Sequence, residues 1–348
     1  MNLARAEWRR LFKRRVTRWL LLFVVGVLGL LVVNTWHSSH RVDEAALREA
    51  EEWARADYEN FRREFEQVIL PEQIEECERA KRAGGAAAEG WPDDCQDLAV
   101  VMAPRPEDFS AQNYLPSTFD FRRDVPGLVQ PFAWLLAMFA FLVAASYVGA
   151  EWRSGGMTNL LLWRPRRVAV LSVKLGTLLT ALAVVGVALS ALWTAALWLV
   201  ATNRGVTDTM TSGAWQSFGL TGLRVLALML VAGTVGFAVA SLGRHTAAAL
   251  GTAIAAFAVG VGGVGAVVYS LDVRFPDRWL WPVYTQAWLE RSVKVYDYSA
   301  PCVVGGPFGA CQPPAFEITW QMAGVGMAGL VVLVVGAALW HIRSRDVT

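Results

Sequence analysis

Six apolar blocks divide this sequence. Each is about 20 residues or longer, the length that an α-helix needs to cross a roughly 30 Å hydrocarbon layer. Within lipid, every backbone amide needs a partner in its own segment, which favours helices. The alternation of apolar and polar residues that is typical of a membrane barrel strand is absent from these blocks. The blocks therefore predict six transmembrane helices, which we place at residues 19–36, 131–150, 168–201, 218–242, 246–271 and 318–341.

The composition excludes a soluble globular enzyme. Hydrophobic residues make up 55% of the chain and charged residues only 18%, whereas an ordinary soluble domain carries roughly 25% charged residues. Such a chain has too few charges to cover the surface of a soluble fold. The predicted fold class is thus an all-α integral membrane protein. The net charge of +2 also argues against a protein that binds nucleic acid.

The distribution of basic residues predicts how the helices are oriented. Segment 1–18 contains seven Lys or Arg residues and a single acidic residue, Glu7. With six spans, the same side of the membrane receives segment 151–174, the turn at Arg244 and the tail 342–348. That side then has 15 basic and 3 acidic residues, and the other side has 16 basic and 27 acidic residues. Short loops rich in Lys and Arg face the cytoplasm, so we expect cytoplasmic termini and a multi-pass protein of the plasma (inner) membrane.

Two segments are predicted on the external side. The larger one, residues 37–130, has apolar residues at a spacing that predicts a helix over residues 42–70, ending at Pro71. The second, residues 272–317, is rich in aromatic residues and is expected to contain a short helix near residues 284–295. We therefore expect a large, mostly helical domain between the first two spans and an aromatic loop before the last one.

All four cysteines fall in these two external segments, where the environment is oxidising. Their even number indicates two disulfides, most simply Cys77–Cys95 and Cys302–Cys311. Four cysteines allow three pairings, and four free thiols are the alternative. A zinc site is disfavoured because neither pair has the short C-x₂-C spacing, so no metal site is predicted.

The segment after the second span carries the most informative pattern, and we predict a short cytoplasmic helix over residues 151–167. A charged start and small residues precede an apolar run. A basic stretch containing Pro165 ends it, because proline cannot continue a helix. The apolar run would lie in the head-group region while Glu151, Arg153 and Asn159 face the cytosol. The pattern fits either a basic anchor on the membrane surface or a contact for a partner protein.

This segment resembles the corresponding one in ABC-2 type transporter permeases. Their pattern is an acidic residue, a basic residue, a glycine and a hydroxyl residue, followed by Leu-Leu, Pro and Arg. The matching residues are Glu151, Arg153, Gly155, Thr158, Leu161, Leu162, Pro165 and Arg167. Six spans with cytoplasmic termini fit this family as well, whereas the external domain 37–130 is longer than is usual in it.

In that family the helix docks against the ATPase subunit and transmits nucleotide-driven closure. The resemblance therefore assigns a coupling role to Glu151, Trp152, Arg153, Gly155, Thr158, Leu161, Arg164, Pro165 and Arg167. It implies an exporter that acts as a dimer with a second permease copy or homologue, together with ABC ATPase subunits that bind ATP and Mg. No lysine of this chain lies in a G-x-x-x-x-G-K-[ST] motif, so we expect ATP hydrolysis in the partner, and no catalytic residue or cofactor here.

Arg224 is the one charge placed well inside a predicted span, which makes it a candidate for the translocation pathway. It could instead reach the interface or pair with Glu317 on the same side. A competing interpretation of the whole chain is a membrane sensor or assembly protein whose external domain binds a partner. Co-purification of an ATPase discriminates between the two, because only the permease needs one.

Overall fold

The computed structural model of the chain describes residues 3–84, 91–157, 159, 167–300, 303–304 and 311–344. Within these residues, six helices are long and apolar enough to cross a membrane, which confirms the number that the apolar blocks predict. The chain divides into two compact units, and we call them the membrane unit and the small unit. The membrane unit comprises residues 1–34, 120–201 and 207–348, and the small unit comprises residues 35–119 and 202–206.

The helices are numbered in chain order. They are α1 (Leu3–Lys13), α2 (Arg15–Ser38), α3 (Glu44–Glu64), α4 (Leu70–Ala83), α5 (Leu98–Val101), α6 (Phe121–Arg153), α7 (Arg167–Arg204), α8 (Ser212–Gly243), α9 (Thr246–Phe257), α10 (Val264–Ser270), α11 (Trp281–Glu290) and α12 (Trp320–Ser344). The strands are β1 (Ser292–Tyr296), β2 (Val303–Val304), β3 (Cys311–Gln312) and β4 (Ala315–Thr319). The six candidate spans are α2, α6, α7, α8, the pair α9–α10, and α12.

The second span begins earlier than its apolar block predicts. Helix α6 starts at Phe121 because Asp120 caps it, its Oδ1 accepting hydrogen bonds from the backbone nitrogens of Arg122 and Arg123 at 2.8 and 3.3 Å. Two prolines, Pro126 and Pro131, lie inside the helix. The sequence favoured Pro131 as a first-turn residue, but prolines are tolerated inside membrane helices where neighbours satisfy the freed carbonyls. Helix α6 therefore begins ten residues before residue 131, where the second span is predicted to start.

Helices α6 and α8 form the centre of the membrane unit. Glycines of α8 allow the two backbones to approach closely: a Cβ on Gly236 would lie 2.5 Å from the carbonyl oxygen of Phe141. Between α6 and α7, the rings of Phe132 and Trp193 stack with their centroids 4.3 Å apart. In the apolar part of α8, 56% of residues are buried, against 17% in α2 and 11% in α12. The outer helices thus expose apolar faces, as lipid contact requires.

The fifth span contains a π-helical interruption, Ala258–Gly263, which separates α9 from α10. Such interruptions occur mostly as single turns within α-helices. Gly260 faces the indole of Trp281, whose Cδ1 would lie 3.4 Å from an added Cβ. The glycine therefore provides room for α11 to pack against this span.

The segment before the last span contains strands, which an all-α fold class does not include. β1 pairs antiparallel with β4, in a register that places Lys294 opposite Glu317, and β2 pairs antiparallel with β3. The helix predicted near residues 284–295 is α11, and the chain leaves it at Arg291, which has a positive φ of 78°. Alternating Val293 and Val295 then favour a strand. β4 ends at Thr319, so the last span starts at Trp320 and not at 318.

The small unit is mostly helical, as predicted. Asp43 caps α3 by accepting a hydrogen bond from the backbone nitrogen of Ala46 at 2.8 Å. Helix formation does not stop at Pro71: a π-helical turn, Phe65–Ile69, leads directly into α4. The prediction of a stop was wrong because Pro71 occupies the first turn of α4, where its missing N–H is tolerated.

The predicted disulfide between Cys77 and Cys95 is confirmed. Both half-cystines are buried, and with Leu98 they form an apolar cluster against which Leu70, Ile74 and Trp91 pack. The other predicted pairing, Cys302–Cys311, lies outside the described residues. The disulfide therefore belongs to the core that holds α4 against the chain that follows it.

Removing this disulfide should weaken the small unit selectively. The bond links residues 18 apart in sequence, and closing a loop of that size stabilises a fold by about 3 kcal/mol. We expect the Cys77→Ala/Cys95→Ala double variant to lower the free energy of local unfolding by about that amount, measured as faster cleavage between residues 43 and 119 in limited proteolysis. Reductant should accelerate cleavage of the wild type but not of the variant, and equal sensitivity of the two proteins would contradict the prediction.

Candidate functional site

The segment that the sequence singles out begins inside a span. Glu151, Trp152 and Arg153 form the last turn of α6, and the chain leaves the helix at Gly155, whose φ of 69° favours glycine. Arg153 and Asn159 are exposed, as expected, and Arg167 is the first residue of α7. The other assigned positions, Thr158, Leu161, Arg164 and Pro165, lie outside the described residues.

Glu151 is largely shielded from solvent, whereas the sequence places it on the polar face of the segment. Only 12% of its side chain is exposed, and its Oε2 accepts a hydrogen bond from Nζ of Lys174 at 2.6 Å. Lys174 lies two turns into α7 and is completely buried. A buried ammonium group needs a close opposite charge to offset the loss of its hydration. The amphipathic pattern placed Glu151 on the polar face but could not show that α7 supplies its partner.

A second buried carboxylate completes the arrangement, and it comes from the N-terminal helix. Glu7 of α1 is 1% exposed, and its Oε1 lies 2.9 Å from Nζ of Lys174. Its Oε2 accepts a hydrogen bond from the hydroxyl of Tyr147 at 2.5 Å. Lys174 therefore joins a carboxylate of α1 to a carboxylate at the end of α6.

Arg14, just after α1, neutralises the remaining negative charge. Its Nη2 lies 3.1 Å from Oε1 of Glu151, and its Nη1 donates to the carbonyl oxygens of Ser146 and Tyr147, both at 3.0 Å. The ring of Tyr147 lies within 5.1 Å of the Arg14 guanidinium and 5.2 Å of Nζ of Lys174, a separation at which cation–π attraction is effective. We call Glu7, Arg14, Tyr147, Glu151 and Lys174 the charge cluster.

The charge cluster contains two cations and two carboxylates when all four groups are ionised. Burial raises the pKa of the Glu7 carboxyl, but hydrogen bonds from Tyr147 and Lys174 and the charges of Lys174 and Arg10 outweigh this effect, so the pKa lies below its ordinary value. Glu7 is therefore ionised at neutral pH, and the cluster is balanced in charge. Charged groups satisfied in this way hold α1, α6 and α7 in one fixed arrangement.

The turn between α8 and α9 packs against the same end of α6. The guanidinium of Arg244, a residue with a φ of 52°, lies 5.1 Å from the ring of Trp152. The neighbouring His245 caps α9, with Nδ1 accepting a hydrogen bond from the backbone nitrogen of Ala247 at 3.0 Å. Gly149 lies so close to α9 that an added Cβ would be 2.5 Å from the backbone nitrogen of Thr246. Four helices thus meet where the segment after α6 begins.

Comparison with known proteins decides the family. The sequence profile of the family described as ABC-2 family transporter protein matches residues 1–298, which include the N-terminal helix and the whole charge cluster. The chain belongs to the ABC-2 transporter family. No curated protein and no solved structure shows significant similarity to it. Members of this family are the membrane components of transporters, so the chain is a permease and is not itself the catalytic subunit.

The charge cluster supplies no chemistry to this ABC-2 permease beyond ion pairing. Lysine, arginine and carboxylates paired at these distances are satisfied by one another, so no activated nucleophile or general base is present in the cluster. In the described part of the chain, no group of three or more His, Cys, Asp and Glu side chains is placed to hold a metal ion. What the cluster can do is mechanical: it connects the start of the segment after α6 to α1 and α7.

Arg224, the charge within the fourth span, is not paired with Glu317. Glu317 is exposed in β4 and lies opposite Lys294. The guanidinium of Arg224 lies 5.5 Å from the ring of Trp320, and its Nη1 is buried without a hydrogen-bond partner among the described residues. Pairing with Glu317, one of the alternatives left open for Arg224, is not observed because β4 places Glu317 opposite Lys294 in the hairpin with β1.

Three members of the charge cluster were not predicted from the sequence. Arg14 and Glu7 were counted only as charges of the basic N-terminal segment, and Tyr147 was counted only as one residue of a span. The sequence does contain one sign of this site: Glu7 is the only acidic residue of segment 1–18, which has seven basic residues. A single acid kept in such a segment indicates a specific cationic partner, although the sequence does not identify which one.

Proposed function

We propose that this permease forms the translocation pathway of an ATP-driven exporter, as a dimer with a second permease copy or homologue, and that separate ABC ATPase subunits drive it. ATP and Mg are bound by those partners. The orientation follows the positive-inside rule, with both termini and the segment after α6 in the cytoplasm of a cell with this protein in its plasma membrane. No covalent step is assigned to this chain.

One observation carries this proposal, namely the position of the charge cluster at the root of segment 151–167. A force applied to that segment reaches Glu151 within one turn of helix, and from there it reaches Lys174 on α7 and Glu7 on α1 through ion pairs of 2.6 and 2.9 Å. Because both carboxylates are held by the same buried ammonium, α1, α6 and α7 would move together. Such a rigid link would allow a movement of the segment after α6 to reach the spans, which a nucleotide-driven change of access requires.

The proposal predicts that Arg153 is a docking residue for the ATPase. Arg153 is exposed at the end of α6, whereas Glu151 is held inside the cluster, so a charge reversal at Arg153 tests docking without disrupting the fold. In proteoliposomes containing the permease and its co-purified ATPase, we expect Arg153→Glu to lower substrate-coupled ATP hydrolysis roughly tenfold, the equivalent of about 1.4 kcal/mol of coupling free energy.

Arg123→Glu is the matched control, because Arg123 is an exposed arginine in the first turn of the same helix. It should leave coupled hydrolysis within twofold of the wild type. Equal effects of the two reversals would refute the docking role of Arg153. If no ATPase co-purifies with the intact chain, the proposal that an ATPase drives this permease fails.

A further inference from the structure

A cavity of about 570 Å³ opens into the membrane unit between α6, α8 and the end of α11. Its size lies within the range of ordinary small-molecule sites. It lies at the start of α6 and of α8, which is the end of the unit away from the charge cluster. From Thr211, before α8, to Thr221 within it, the lining extends over about 15 Å of helix. The wall of the cavity is therefore long enough to contact a head group and the first carbons of a chain.

The lining of this cavity combines charged and apolar residues. Arg122, Glu290 and Arg291 contribute charges, whereas Val129, Phe218 and Leu289 contribute apolar surface. Two cations therefore face a single carboxylate. That carboxylate already accepts hydrogen bonds from Nε2 of Gln286, with both oxygens at 3.2 Å. The lining thus presents an excess of positive charge beside an apolar wall.

Both arginines are held in position and keep donors for a ligand. Nη1 of Arg122 donates to the carbonyl oxygen of Thr209 at 3.0 Å, and Nη2 of Arg291 donates to Oγ of Ser217 at 3.1 Å. A guanidinium group has five N–H donors, so these hydrogen bonds use only part of each group.

A third positive charge, Arg224, lies further along α8 than the lining residues of this helix. Ser217, Thr221 and Arg224 recur at a spacing that places them on one face of α8, and the first two line the cavity. Nη1 of Arg224 is buried without a hydrogen-bond partner in the described structure, and Arg291 adds to the positive potential that Arg224 experiences. An excess of positive charge in and beside such a cavity attracts an anion.

We infer that this cavity binds the phosphate head group of an anionic amphiphile, with Arg122 and Arg291 contacting the phosphate and the apolar wall receiving the chain. Guanidinium groups match phosphate oxygens in geometry and charge. The apolar wall and the position at the end of the membrane helices favour an amphiphile over a soluble phosphate. The inference rests on the proposed function in one respect, since it names the class of molecule that the permease moves.

Binding can be measured without any ATPase. The purified full chain in a non-ionic detergent is titrated with dihexanoyl phosphatidylglycerol, and bound lipid is counted by native mass spectrometry. We expect the Arg122→Gln/Arg291→Asn double variant to bind this probe at least about tenfold more weakly than the wild type. Asn is chosen at position 291 because it tolerates a positive φ. The matched control is Arg123→Gln, an exposed neighbour that does not line the cavity, and it should bind within twofold of the wild type.

Three outcomes would overturn the inference. If the double variant and the wild type bind the probe with equal affinity, the two arginines do not contact the ligand. If the wild type binds dihexanoyl phosphatidylcholine as tightly as dihexanoyl phosphatidylglycerol, the cavity does not prefer an anion. Displacement of the lipid by inorganic phosphate at the same concentration makes the ligand a soluble phosphate. Failure of the proposed function is separate, since a chain that binds the probe as expected but has no ATPase partner loses only its assignment as a driven exporter.

Discussion

Replacing Lys174 with methionine should destabilise the permease by about 3–5 kcal/mol, the cost of leaving one partner of a buried ion pair without the other. Nζ of Lys174 lies 2.6 Å from Glu151 and 2.9 Å from Glu7, so its loss removes the buried cation that both carboxylates share. The charge cluster is then left with two carboxylates against Arg14, an excess negative charge that only the exposed Arg10, 3.7 Å from Glu7, offsets in part. The expected result is a lower midpoint of unfolding when the protein in mixed micelles is titrated with SDS.

A double-mutant cycle separates this electrostatic effect from simple loss of packing. Adding Glu7→Gln to Lys174→Met removes the excess negative charge, so the double variant should be more stable than Lys174→Met alone. Lys13→Met is the matched control, because Lys13 is an exposed lysine of α1, and it should change stability by less than about 0.5 kcal/mol. Strict additivity of Glu7→Gln and Lys174→Met would mean that the two residues do not interact.

The number and approximate positions of the spans were predictable, because lipid imposes a length and a hydropathy that few other environments require. The ends were less predictable. The helix cap at Asp120 starts α6 ten residues before its apolar block, and β4 occupies the first residues expected in the last span. In both cases, local hydrogen bonding determines where the element begins, and hydropathy does not report it.

The charge cluster could be predicted only in part. The family pattern identified Glu151, whereas Lys174 counted only as one of the basic residues of segment 151–174. Their pairing with each other and with Glu7 joins residues 23 and more than 140 positions apart, so it depends on how three helices pack. A pattern read along one helix assigns Glu151 to a polar face, but it does not show whether water or a lysine lies opposite.

The strands and the cavity could not be predicted from the sequence either. Segment 272–317 was expected to form an aromatic loop with one short helix. The pairing of β1 with β4 depends on a turn at Arg291, whose φ a sequence does not reveal. Arg224 was recognised as unusual because a charge within a span is costly. Its place beside the cavity lined by Arg122 and Arg291 depends on how α6, α8 and α11 pack together, which the sequence does not show.

Gly149 is the second position at which a small change should have a large effect. It lies in α6 two residues before Glu151, and a Cβ there would be 2.5 Å from the backbone nitrogen of Thr246 and would also contact its Oγ1. The near atoms belong to the backbone at the start of α9, which cannot rotate away as a flexible side chain can. We therefore expect Gly149→Ala to cost about 2–3 kcal/mol, the upper part of the range for overpacking, measured by the same SDS titration.

Within a helix, alanine is more favourable than glycine by about 1 kcal/mol. A destabilising effect of Gly149→Ala would therefore come from the contact with α9 and not from helix propensity. Gly176→Ala in α7 is the matched control, since an added Cβ there meets nothing within 4 Å, and it should be neutral or slightly stabilising. A stabilising Gly149→Ala would show that α6 and α9 are not in close contact at this point. If the contact exists, the alanine pushes the end of α6 away from α9, and Glu151 with it, so coupled ATP hydrolysis should fall together with stability.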